Sequence, residues 1–89
     1  DDFVLLDVRD PHEYAIASIP GARLVPLGTF GDAIPSLDRA TDIVIHCRSG
    51  ARSAKAVRQL QAAGFTRVWN VVGGILRWAD EVDPSVAKY

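Results

Sequence analysis

Apolar positions fall into short runs separated by polar, glycine- and proline-rich punctuation. Phe3–Val8 (FVLLDV) is nearly all apolar with β-branched content, which predicts a buried strand. Asp42–His46 (DIVIH) places three β-branched residues in a row and predicts a second. Arg23–Pro26 and Arg67–Val72 (RVWNVV) predict two more. Between them the apolar period changes. In Ser53–Ala63 (SAKAVRQLQAA), Ala54, Val57, Leu60 and Ala63 line one helical face, while Lys55, Arg58, Gln59 and Gln61 lie elsewhere. Gly64 follows as a helix stop.

Three weaker helical segments complete the pattern. Asp10 is a good N-cap, Pro11 suits a first helical position and Glu13 stands three residues after the cap, so a short helix runs to about Ala17. Thr29–Leu37 has room for one or two helical turns. After Gly73-Gly74 turns the chain, Ile75–Ala79 opens a last short helix. Strands alternating with helices predict an α/β fold: a small central parallel sheet with helices on both faces. In such sheets ligands bind at the carboxyl ends of strands. Cys47 stands there, between the clearest strand and the clearest helix.

Composition narrows the class. Eighty-nine residues make one domain, 1–89, within the usual range of about 50–200 residues. No apolar run reaches the roughly 18 residues a membrane span requires, and no secretory signal is visible. The absence of any methionine suggests a domain excised from, or the tail of, a longer chain. The single cysteine excludes an internal disulfide and a cysteine-cluster metal site, and His12 and His46 alone make a poor zinc set, so no metal is expected. A lone thiol suits a reducing, cytoplasmic setting. Net charge is only −1, yet no acid occurs between Ile43 and Ala79, a stretch holding Arg48, Arg52, Lys55, Arg58, Arg67 and Arg77. This asymmetry suits small anions or an acidic partner. Six dispersed bases are too few for a nucleic-acid surface.

The segment Cys47–Ser53 (CRSGARS) carries the candidate chemistry. A free thiol, with a pKa of about 8.5, is mostly protonated at neutral pH. A helix amino end, a nest of backbone N–H groups made accessible by Gly50, and the charges of Arg48 and Arg52 all favour the thiolate. Ser49 and Ser53 add hydrogen-bond donors. A buried packing cysteine needs none of these neighbours. Four residues, Arg48, Ser49, Gly50 and Ala51, separate Cys47 from Arg52. A loop encircling a phosphoryl group needs five, and Ser53 occupies the position its arginine would take. The shorter loop favours an outer sulfur atom: Cys47 accepts sulfur from a donor, holds it as a persulfide and passes it on.

At this point the chain resembles the rhodanese family of sulfurtransferases along nearly its whole length. Leu5–Ala22 (LLDVRDPHEY…IPGA), Cys47–Ser53 and Val71–Trp78 (VVGGILRW) are similar to the family's three signatures, in order. The resemblance implies a rhodanese fold with a five-stranded sheet, Cys47 as the sulfur-carrying residue and Arg48, Ser49, Gly50, Ala51, Arg52 and Ser53 as the persulfide-binding loop. No separate cofactor is implied, the persulfide being covalent. Ala17-Ser18 stands where many members have Gly-His. With the ending WADEVDPSVAKY, it is similar to the C-terminal domains of MoeB/MoeZ-type adenylyltransferase–sulfurtransferases. That implies thiosulfate or a protein persulfide as donor, an adenylating domain in the same chain, and a ubiquitin-like sulfur carrier of molybdopterin, thiamine or cysteine biosynthesis as acceptor.

Asp7 and Arg9 end the first strand on the rim where Cys47 lies; pairing with each other is favoured over orienting Arg48 or Arg52. Glu13 reads as a helix-cap acid, with a pairing to Arg52 as the alternative. His46 alternates away from Cys47 and reads as packed, as do Trp69 and Trp78. The competing functions are a non-catalytic rhodanese-like interaction module and a cysteine-dependent phosphatase or arsenate reductase relative.

Overall fold

The computed structural model describes residues 3–81. Its strands are β1 (Phe3–Asp7), β2 (Arg23–Leu24), β3 (Asp42–His46) and β4 (Val68–Asn70). They form one parallel sheet in the order β2-β1-β3-β4. Four strands are present among the described residues, where the family resemblance implied five. The two apolar runs occupy the centre, and β1 and β3 pair along their full lengths from Phe3↔Asp42 to Asp7↔His46.

Strand alternation assigns each face its core. Leu6 and Val8 share one face with Ile43, Ile45 and Cys47, packed with Phe30, Ala56, Leu60 and Phe65. Leu5 and Val44 face the other way, against Ile19, Ala22, Ile75 and Trp78. Helix α3 (Ala51–Ala62) therefore covers the first face and α4 (Gly74–Glu81) the second, as a two-faced α/β sheet requires. Between β2 and β3 the chain makes two 3-10 turns around a short helix, α2 (Phe30–Ala33), which buries Phe30 completely.

Several boundaries differ from expectation. Helix α1 (Pro11–Ile16) stops at Ile16, close to the expected end. Strand β4 is shorter than Arg67–Val72 because its ladder ends at the Val71 N–H to Ile45 carbonyl bond, after which the chain turns. Helix α3 begins at Ala51, two residues before the expected start at Ser53. Gly50 takes φ +114 and ends the loop earlier. The far end of α3 closes as expected on Gly64, with Phe65 N–H on the Leu60 carbonyl and Gly64 N–H on the Gln61 carbonyl.

Candidate functional site

The early start of α3 shapes the site. Only Cys47 to Gly50 form the loop, while Arg52 and Ser53 stand on the first helical turn. Cys47 Sγ lies inside this bend, and Cys47 is 1% exposed. Gly50 N–H donates to Sγ at 3.0 Å, and the buried Ser53 hydroxyl lies 3.4 Å from it. Burial by itself pushes the thiol pKa up. The Ser53 hydroxyl and the backbone N–H groups of Ser53, Gly50 and Ser49 outweigh it, and the net shift is downward. The expected nest is thus present, with the serine hydroxyl ahead of any single amide.

The loop carbonyls turn the other way, onto α4. Ile75 N–H donates to the Cys47 carbonyl at 2.9 Å and Leu76 N–H to the Arg48 carbonyl at 3.2 Å. Two orphan donors of the α4 amino end are satisfied in this way, and the loop is pinned from behind. The contact needs a glycine at 74: a Cβ there would overlap the Cys47 and Arg48 carbonyls, and φ is +57.

Arg52 does not point freely at the sulfur. Its Nη1 and Nη2 donate to Glu13 Oε1 and Oε2 at 2.6 and 2.9 Å. Glu13 Oε1 also accepts Asp10 N–H at 2.9 Å, which fastens α1 and the reactive helix together. The Arg52 guanidinium holds the Glu13 carboxyl at about 2, against an opposing push from burial. Arg52 is itself raised, chiefly by Glu13, with negative charge on Cys47 contributing. Glu13 therefore joins the site as the alternative expectation had it. Asp10, His12 and Glu13 bring one ligand atom each within 4.8 Å of one another, but Arg52 and the cap already engage the Glu13 carboxylate.

Asp7 and Arg9 are fully buried and pair with each other. Arg9 Nη2 donates to Asp7 Oδ2 at 2.6 Å and to the Ala17 carbonyl at 2.6 Å. Of the two readings, the mutual pair is the one this geometry carries. His46 is also fully buried; its Nε2 lies 3.7 Å from Asp7 Oδ2 and its Nδ1 3.4 Å from the Cys47 carbonyl. Burial lowers its pKa, partly opposed by Asp7. Arg48 and Ser49 are exposed on the outside of the loop. Trp78 packs under the second core face, while Trp69 stands half exposed on the edge strand.

Sequence reasoning missed Asn70. It sits at the carboxyl end of β4, paired with Ile45, and reaches the loop from the neighbouring strand. Its Nδ2 donates to the Gly50 carbonyl at 3.2 Å, and its Oδ1 lies 2.5 Å from Ser53 Oγ. A polar residue closing an otherwise apolar strand beside the cysteine strand was the available signal.

The Rhodanese-like domain family model matches residues 1–81. A protein named Sulfurtransferase from Allochromatium vinosum is 40% identical over 87 residues, covering 98% of this chain and 81% of its own length. The probable adenylyltransferase/sulfurtransferase MoeZ of Mycobacterium tuberculosis is 38% identical over 96% of this chain. The chain spans 22% of MoeZ and less than a third of several such longer relatives. A crystal structure of a rhodanese-like domain protein from Staphylococcus aureus superposes with a TM-score of 0.84 at 35% identity, covering 100% of this chain and 83% of that one.

Proposed function

The chain belongs to the rhodanese-like family, and from that premise we propose that it carries sulfane sulfur as a persulfide on Cys47 and hands it to a nucleophilic or thiocarboxylate-forming acceptor. Sulfurtransferase activity in general follows from its relatives; the residue roles and the reactants are our reading.

The observation that carries it is the inward set of donors on Sγ combined with the outward set of loop carbonyls. Such a bend stabilises negative charge on sulfur without a separate base. The Cys47 thiolate attacks the outer sulfur of thiosulfate. A sulfur–sulfur bond forms to Sγ, the donor's sulfur–sulfur bond breaks, and sulfite leaves with the electron pair. An acceptor nucleophile then attacks the outer sulfur, and the electron pair returns to Sγ. A protein persulfide donor enters by the same displacement, with a thiolate as leaving group.

The exposed, acid-free segment around Arg48, Lys55, Arg58 and Arg77 supports an acidic acceptor. With a ubiquitin-like sulfur carrier adenylated by a domain of the same chain the roles reverse: the outer persulfide sulfur attacks the carrier's acyl-adenylate, a carbon–sulfur bond forms and AMP leaves, and two equivalents of an external thiol reduce the acyl disulfide to the carrier thiocarboxylate and the Cys47 thiol, themselves becoming a disulfide. The carrier's place in molybdopterin, thiamine or cysteine biosynthesis and in a cytoplasmic setting belongs to the same proposal. Among the described residues no helix is long and apolar enough to cross a membrane. The Cys47-to-Arg52 spacing disfavours a phosphatase.

The test is steady-state sulfur transfer from thiosulfate to cyanide or a small thiol, run beside hydrolysis of an aryl phosphate. Thiocyanate or persulfide formation that Cys47→Ser abolishes is expected. Phosphate release without sulfur transfer would overturn the reading.

A further inference from the structure

The Ser53 hydroxyl has one proton and three acceptors within reach: Asn70 Oδ1 at 2.5 Å, the Gly50 carbonyl at 3.1 Å and Cys47 Sγ at 3.4 Å. The amide orientation of Asn70 is set by its other bond. Nδ2 donates to the Gly50 carbonyl, and the flipped amide would place oxygen against oxygen. Oδ1 is therefore the atom facing Ser53, and it can only accept. The shortest of the three contacts leads the proton away from the sulfur.

We infer that Asn70 is a positioning residue that competes with Cys47 for the Ser53 proton, so that the hydroxyl donates to Asn70 while the sulfur is neutral and turns to the sulfur when it carries charge. A charged acceptor forms the stronger hydrogen bond, which drives the turn; the lost Asn70 bond opposes it. The hydroxyl thus follows the reaction. With sulfur loaded, Sγ is covalently bonded on both sides and neutral, and the proton rests on Asn70. When the acceptor takes the outer sulfur, the bond to Sγ breaks, its electron pair returns to Sγ and the hydroxyl swings back. Only this consequence for turnover rests on Cys47 as the sulfur carrier; the proton competition does not.

The competition also tempers the thiol. A thiolate loses intrinsic nucleophilicity as its pKa falls, and the best attacking thiol has a pKa near the ambient pH. An unopposed serine donor would lower it further.

The test is titration of the Cys47 thiolate by its ultraviolet absorbance, checked by the pH profile of alkylation by iodoacetamide. Neither needs sulfur transfer, so failure here is separable from failure of the proposed function. Asn70→Ala and the shape-conserving Asn70→Leu are each expected to move the midpoint down by about half a pH unit. Ser53→Ala is expected to move it up. In the Ser53→Ala background, Asn70→Ala is expected to move it no further. A merely structural Asn70 gives the opposite sign, because a loosened loop loses N–H donors to the thiolate. The Gly50 carbonyl also accepts the Ala54 N–H at 3.1 Å, a bond that involves neither substituted side chain. The titratable groups on the neighbouring elements, Arg52 with Glu13 behind it, Arg48, His46 and Arg77, are unchanged by the substitutions. An upward shift in both Asn70 variants, or a downward shift that persists without Ser53, would overturn the inference.

Discussion

Glu13 does three jobs with two oxygens. It closes the amino end of α1, neutralises Arg52 and ties that helix to the one carrying the site. Its carboxyl titrates at about 2 in the folded chain against an ordinary 4.5. A depressed folded value means the pair's stabilisation is present above pH 4.5 and is lost as pH falls from there through about 2. Glu13→Gln is expected to cost about 1–3 kcal/mol at neutral pH, with the gap to wild type closing between those limits in urea titrations. A gap that ignores pH would show that the contact is not ionic. Asp7→Asn strands the buried Arg9 charge and is expected to cost more, about 3–5 kcal/mol, in the same assay.

At the scale of elements, the site is a loop held between two helix amino ends. Helix α3 supplies Ser53 from the front, and α4 takes the loop carbonyls from behind. Gly74→Ala forces the α4 turn off those carbonyls. Sulfur transfer is expected to drop about 100-fold, since small misplacements of reacting groups carry that cost. Gly31→Ala, in a helix with open space around the added methyl, is expected to leave activity unchanged. Equal losses in both variants would remove the special role of the α4 contact. Strands β1 and β3 were legible from their apolar runs, as was α1 from Asp10, Pro11 and Glu13. The start of α3 was not. The apolar pattern started the helix at Ser53, whereas the left-handed Gly50 ends the loop two residues earlier and sets Ser53 on the first helical turn beside the sulfur.

Over the whole molecule, β–α alternation made the layered fold and the position of Cys47 readable without coordinates. What stayed hidden depends on register between distant segments. Asn70 reaches Ser53 because β4 pairs with β3 at Ile45↔Asn70, and α4 meets the loop because β4 ends there. Neither pairing has a local signature. Acid stability is also a property of the assembled core. His46, fully buried at the carboxyl end of β3 near Asp7, has its pKa held below the ordinary 6.5 by burial. Protonation then favours the unfolded chain, so stability is expected to fall as pH drops below 6.5 toward the folded value, and His46→Gln is expected to flatten that slope.

The central claim is that Cys47 itself holds the travelling sulfur, and intact-protein mass spectrometry after exposure to thiosulfate or a persulfide donor reads it directly. Wild type is expected to gain the mass of one sulfur atom, localised to the peptide containing Cys47 and discharged by cyanide. Cys47→Ala is expected to gain nothing. A wild-type protein that takes up no sulfur from either donor, or a Cys47→Ala protein that still does, would contradict the claim.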